Sequence, residues 1–303
     1  MKLNKALLAG GCLLLLAGCA GGSTSVPEGS QVIMTIGDQK LTKEKEYTLM
    51  KESSGPQTAL NLVNKQICDK EIGQTDEVKA EAQKMLDDYA SVEGFDEQLK
   101  SIGYESKEDY MKEVLIPNIQ AQELKKKYFV DAKEDIITEF DPVLAVIIQT
   151  DSEDNANKAL DALKNGDDAG KVGAQYAPED AEYTGSEQII TTLDTALPTT
   201  LLNAIQDAGK DGVLDQVFTN DTSTDNKKYY VASVVSTDYD KNLSKIQDAL
   251  ASNQTISNDS QVYYLKKYDF EVHDQYLFDY FKAMNPEYLV TRPDLAKDDS
   301  STN

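Results

Sequence analysis

Tryptophan is absent from this 303-residue chain, histidine and arginine occur once each (His273 and Arg292), and cysteine occurs three times. One histidine cannot build a multi-histidine metal site, and it argues against a histidine-based catalytic triad. That residue lies in an alternating stretch, Phe270 and Val272 against Glu271 and His273, and reads as a solvent-facing strand position. Positive charge is also scarce: the formal net charge is −23. So acidic a chain is a poor nucleic-acid binder and is repelled by anionic lipid head groups, while it favours solubility and cationic partners. Long apolar runs are missing everywhere except at the start. The polar run Asn220–Asn226 has acidic residues in the manner of a calcium loop. It lacks that motif's glycine and closing glutamate, so it reads as a hairpin loop.

What is present begins with an export signal over residues 1–18. Lys2 and Lys5 precede the apolar run Ala6–Ala17, which contains four consecutive leucines, Leu13 to Leu16. The run is too short to cross about 30 Å of hydrocarbon comfortably. Leu16-Ala17-Gly18-Cys19 then resembles the lipobox of bacterial lipoproteins. That resemblance implies diacylglycerol on the Cys19 thiol, cleavage before it, and a membrane anchor of two or three acyl chains, each buried methylene contributing about 0.8 kcal/mol. Residues 19–30, rich in glycine and serine, read as the lipidated cysteine and a flexible tether. Cys12 leaves with the signal and Cys19 carries lipid, so Cys68 stands alone and no internal disulfide framework exists. Its place beside Ile67 on a helical pattern predicts a buried thiol.

Residues 31–138 read as mostly helical. Val32–Ile36 is a short strand, Gly37-Asp38 a turn, and Thr42 a helix cap; a helix around 57–72 places Leu60, Val63 and Ile67 on one side. Thr75 opens another helix with Val78, Ala82, Met85, Leu86 and Tyr89 in register. Ser106-Lys107-Glu108-Asp109 has capping-box spacing, and Pro117 predicts a kink. The pattern changes at Val143–Ile148, a buried strand by length and branching. A helix with Ala156, Ala159, Leu160 and Leu163 on one face ends at Asn165-Gly166. Strands at 188–192 and 228–235 flank a helix holding Leu201, Leu202 and Ile205, so 140–237 reads as an α+β unit. A helix over 239–252 leads to an aromatic-rich stretch, 261–284, whose spacing is mainly that of core packing. Residues 286–303 read as a disordered tail.

In order and spacing these segments resemble the PrsA-like foldases, extracytoplasmic lipoproteins of Gram-positive bacteria in which a parvulin-type prolyl isomerase is inserted in a helical chaperone domain. The carriers are Val32–Lys51 and Ala59–Lys65, then Gly103–Tyr110, and finally Tyr268–Asp274. The resemblance implies an α+β protein with a mainly helical chaperone domain built from 31–138 and 238–285, a parvulin-like domain over 140–237 inserted between them, and a place on the outer face of the cell membrane. The family's first strand usually reads Ala-Ser-His-Ile-Leu, and alignment puts Val146 at the histidine. The last strand's Gly-Tyr-His becomes Lys228-Tyr229-Tyr230, so Tyr230 replaces the second histidine. Thr184–Gln188 stands where a Gly-Gly-Asp-Leu-Gly turn is usual, and Leu197 and Leu201 fall where the family holds the substrate proline.

Prolyl isomerisation needs a site that binds the twisted amide, whose barrier is about 18–20 kcal/mol, better than the planar one. Val146 has no hydrogen-bonding side chain, which leaves the Tyr230 hydroxyl alone. The resemblance thus implies a membrane-anchored foldase for unfolded or newly secreted proteins, weak or inactive as an isomerase, needing no cofactor. An active isomerase with a remodelled site and a solute-binding lipoprotein of a transporter are the alternatives. The second would need two α/β lobes, whereas 31–138 reads as helical.

Overall fold

The computed structural model of the chain describes residues 26–220 and 227–292. The signal, Cys19, the tether up to residue 25, six residues of the Asn220–Asn226 loop and residues 293–303 lie outside the described residues. The fold is α+β and divides into two compact units. One combines the described residues up to Leu124 with those from Asn258 onward, and the other spans Lys125–Ser257.

The first unit opens with a hairpin, β1 (Val32–Ile36) antiparallel to β2 (Gln39–Thr42), turning at Gly37 with φ 56°. Thr42 caps α1 (Lys43–Glu71), its side-chain oxygen accepting from the Lys45 amide at 3.3 Å. The helix predicted to begin near residue 57 is the second half of this 29-residue helix, which runs on through Pro56. A proline inside a helix strips the carbonyl four residues earlier of its amide partner. Here that carbonyl, Glu52, instead accepts from the Tyr276 hydroxyl at 3.1 Å.

Next come α2 (Asp76–Ala90), capped by Thr75, the short α3 (Phe95–Ser101), and α4 (Lys107–Tyr110), capped by Ser106. A π-helical stretch, Met111–Leu115, leads into α5 (Ile116–Asp131). The irregularity foreseen at Pro117 thus takes the form of a widened turn just before the proline, where the Ile116 amide reaches back to Met111. Val78, Ala82 and Leu86 of α2 pack with Leu115, Ile116 and Ile119, matching the face read from the sequence.

In the second unit α6 (Lys133–Phe140) precedes β3 (Val143–Thr150), buried along its whole length. Then follow α7 (Glu153–Lys164), α8 (Ala169–Tyr176), β4 (Thr184–Ile190) and α9 (Thr199–Gln206). Two-residue strands β5 (Gly212–Val213) and β6 (Phe218–Thr219), then β7 (Tyr229–Ser236) and α10 (Tyr239–Leu250), complete it. The strands run antiparallel in the order β4-β3-β7-β5, with β6 also on β7.

Two expectations change here. The strand placed at 188–192 begins earlier and ends at Ile190, because the Asp194 carboxylate takes the Thr191 amide at 2.6 Å and its hydroxyl at 3.0 Å and turns the chain away. The Thr184–Gln188 run read as a turn is therefore strand. Helix α8 was not foreseen, since its glycines, Gly170 and Gly173, weaken the helical signal.

The chain returns to the first unit through α11 (Gln254–Lys267) and α12 (Gln275–Met284). Tyr264 and Phe281 are buried, and near-perpendicular ring pairs surround them, so the aromatic stretch does pack as core. His273 is exposed as expected but is not in a strand: residues 270–273 have no strand partner and lead to the Asp274 cap of α12. The tail expected from residue 286 also needs correction. Pro286–Tyr288 form a 3-10 turn, Leu289 is buried, and the Tyr288 ring lies 6.4 Å from that of Phe281.

Candidate functional site

Strand alternation sorts the sheet of the second unit into two faces. Val143, Ala145 and Ile147 of β3 and Tyr230, Ala232 and Val234 of β7 share one face with Leu197, Leu201 and Ile205. Ile148 and Val231 point the other way, onto Ala156, Ala159, Leu160 and Leu163 of α7 and Val172 of α8. The structure therefore gathers Tyr230, Leu197 and Leu201 in one apolar cluster but does not bring Val146 to it. Val146 pairs with Ser233 and Tyr230 with Gln149, so Val146 and Tyr230 face opposite sides of the sheet. The side chains of β3 that share the Tyr230 face are Val143, Ala145, Ile147 and, directly opposite Tyr230, the buried Gln149. Of these only Gln149 can form a hydrogen bond through its side chain.

The residue that sequence reasoning missed is Tyr183. It precedes β4, is 7% exposed, and its ring centroid lies 6.3 Å from that of Tyr230 at 70°, an edge-to-face pair. Its carbonyl accepts from the Gln149 amide at 2.8 Å, which ties it to the end of β3. A single aromatic between Glu182 and Thr184 gives no periodic signal; only the strand register shows what it meets. Burial, and then the negative charges of Glu182 and Asp194, push the Tyr183 hydroxyl up to about 12. Burial and Glu182 also raise Tyr230. Both phenols are therefore neutral at ordinary pH, suited to donate or accept a hydrogen bond and not to take a proton as phenolate.

This arrangement is a packed wall. Tyr230 is 4% exposed, Leu197 4% and Leu201 0%. A proline ring entering here would have to displace Tyr183, Tyr230 or the leucines. Cys68 on α1 is buried too, and burial, then the adjacent Asp69 charge, lifts its thiol to about 11, so it is no thiolate nucleophile. Among the described residues no group of three or more His, Cys, Asp or Glu side chains is arranged to hold a metal ion. No helix among them is long and apolar enough to cross a membrane. Cys19 lies outside the described residues.

No family model matches the chain. Its sequence is similar to the foldase protein PrsA of Streptococcus mutans, 28% identical over 241 residues that make up 77% of this chain and 71% of the relative. Among solved structures, the peptidylprolyl isomerase PrsA of Bacillus cereus covers 85% of this chain and 99% of its own, with 16% identity and a TM-score of 0.47. The foldase PrsA of Streptococcus pneumoniae has the same coverage, 19% identity and a TM-score of 0.38. PrsA of Bacillus subtilis covers 84% of this chain and 98% of its own, with 19% identity and a TM-score of 0.37. Over most of its length the chain is thus similar in sequence to a foldase.

Proposed function

We propose that this protein is an extracytoplasmic foldase that holds newly exported polypeptides without catalysing prolyl isomerisation, anchored to the outer face of the membrane by lipid on Cys19. The sequence relationship to a foldase supports the general role. The single observation that carries the non-catalytic reading is the closed packing of Tyr183, Tyr230, Leu197 and Leu201, all buried in one cluster. Catalysis would require a cleft that holds a prolyl peptide and binds its twisted amide more tightly than the planar one. Side chains packed into a core cannot meet that demand without opening the fold.

Two assays on the mature chain test this reading. A short prolyl peptide should equilibrate at its uncatalysed rate, tens to hundreds of seconds, whatever the protein concentration. A protein-dependent rate that Tyr230→Phe abolishes would establish an active isomerase instead. In parallel, a denatured secreted protein diluted into buffer should aggregate less when the chain is present; unchanged aggregation would refute the holding role. The anchor has its own readout. Cys19→Ala should release the protein to the medium and lower secretion yield, and release with unchanged secretion would remove the anchor from the mechanism.

A further inference from the structure

The helical unit contains a concave apolar surface that the parvulin-like sheet does not involve. We propose that the cleft formed by α2, α3 and α4 binds extended polypeptide in which a bulky apolar side chain is flanked by lysines or arginines. The biological identity of the occupant rests on the chaperone reading above; the chemistry of the cleft does not.

The floor is Leu99, buried, with Phe95 and Tyr110 half-buried beside it. The Phe95 ring stands edge-on to Tyr110 at 6.1 Å and tilts towards Tyr89 at 6.3 Å, so the aromatic floor is held by its own packing. The walls are Val92, 62% exposed, Ile102, 57% exposed, and Tyr89, 41% exposed. Each is large and apolar, and together with the half-buried rings they form one contiguous patch instead of scattered surface contacts. The volume of this open cleft is about 230 Å³. Small-molecule sites run from about 300 to 1,000 Å³, so this cleft suits a single bulky side chain better than a metabolite.

Charge selects the flanks of that side chain. Between Asp87 and Asp109 the chain carries eight carboxylates and two lysines. Glu93, Asp96 and Glu97 are exposed on the same short segment that carries the lining residues Val92, Phe95 and Leu99. Of the two lysines, Lys107 is engaged with Asp96 at 3.0 Å and lies 6.0 Å above the Phe95 ring. An apolar floor set in so acidic a segment attracts a peptide that is apolar at one position and cationic beside it, and it repels an acidic one.

Fluorescence anisotropy with two labelled heptapeptides tests this on the mature chain. One is Lys-Leu-Lys-Phe-Lys-Leu-Lys and the other replaces every lysine by glutamate. The basic peptide should bind, more weakly as salt rises, and the acidic one should bind at least about tenfold more weakly. The double variant Val92→Gln/Ile102→Gln changes only exposed side chains, so its melting temperature should stay put while its affinity for the basic peptide falls about tenfold. Glu93→Lys/Glu97→Lys should weaken the basic peptide by a similar factor and remove most of the salt dependence. Equal binding of the basic peptide to the parent and both variants would overturn the cleft, as would equal affinity for the two peptides. Running the aggregation assay on the same proteins separates the two ideas. Variants that bind the basic peptide and suppress aggregation as the parent does refute the cleft and leave the chaperone role standing. A parent that binds the basic peptide at the cleft but suppresses no aggregation refutes the chaperone role alone.

Discussion

Tyr183 and Tyr230 show what a single residue contributes to this protein and how it can be measured. Both hydroxyls are held above their ordinary value by burial, Tyr183 at about 12. In the unfolded chain a tyrosine loses its proton near pH 10, so between about 10 and 12 the folded form binds more protons than the unfolded one. Stability linked to the Tyr183 phenol is therefore complete below about pH 10 and is lost as pH rises through about 12. Urea unfolding at stepped alkaline pH should show this decline, and Tyr183→Phe should flatten it. A decline of the same slope in the variant would place its source elsewhere. The sequence made Tyr230 visible because it falls where a family histidine is expected. Tyr183 was invisible, since its role depends on which strand passes beside it. Val146 was aligned one position from the residues facing Tyr230, and in a strand a shift of one residue moves a side chain to the opposite face.

At the scale of elements, the contact of α8 with β4 depends on two glycines, each of which approaches the backbone of the other element. A Cβ placed on Gly173 would collide with the Thr184 carbonyl. One placed on Gly185, whose φ is +85°, would collide with the Ala169 carbonyl, and a residue other than glycine is strained at that φ in any case. Backbone cannot yield as a flexible side chain does, so Gly173→Ala should destabilise the second unit by about 1–3 kcal/mol or more. Chemical denaturation followed by tyrosine fluorescence would measure it, and a neutral result would mean that α8 can move away from the strand freely. Gly185→Ala should cost at least as much. These glycines also explain the limits of the sequence reading. The capped and strongly periodic helices α2, α7 and α10 were legible from side-chain spacing. Helix α8 was not, because the residues that let it pack closely are the ones that weaken a helical pattern. The unbroken course of α1 was hidden for a related reason: Pro56 signals a break, and the hydroxyl that serves the freed carbonyl comes from Tyr276, far along the chain.

At the scale of the whole molecule, the first unit is assembled from two stretches of chain separated by the entire second unit. The C-terminal stretch supplies partners that α1 has no other way to obtain. Lys51 pairs with Asp274 at 3.0 Å, with side-chain exposures of 17% and 10%, and its ammonium lies 5.7 Å from the Tyr47 ring and 5.8 Å from that of Tyr276. Glu71 accepts from Lys267 at 2.6 Å and from the Tyr268 hydroxyl at 2.8 Å, and Gln261 donates to Asn64 at 2.8 Å. Removing one partner of a largely buried ion pair costs about 3–5 kcal/mol, because the charge left behind is desolvated and unpaired. The Lys51–Asp274 pair, with the buried rings of Tyr264 and Phe281, amounts to a large share of the 5–15 kcal/mol or so that holds a typical domain together. A chain ending at Ser257 should therefore lose the fold of α1 while the sheet of the second unit, whose strands lie wholly within 125–257, survives. Hydrogen exchange resolved by segment reads both outcomes at once. Protection should vanish across α1 and persist in β3 and β7; protection retained across α1 would show that the N-terminal stretch folds without its returning partner.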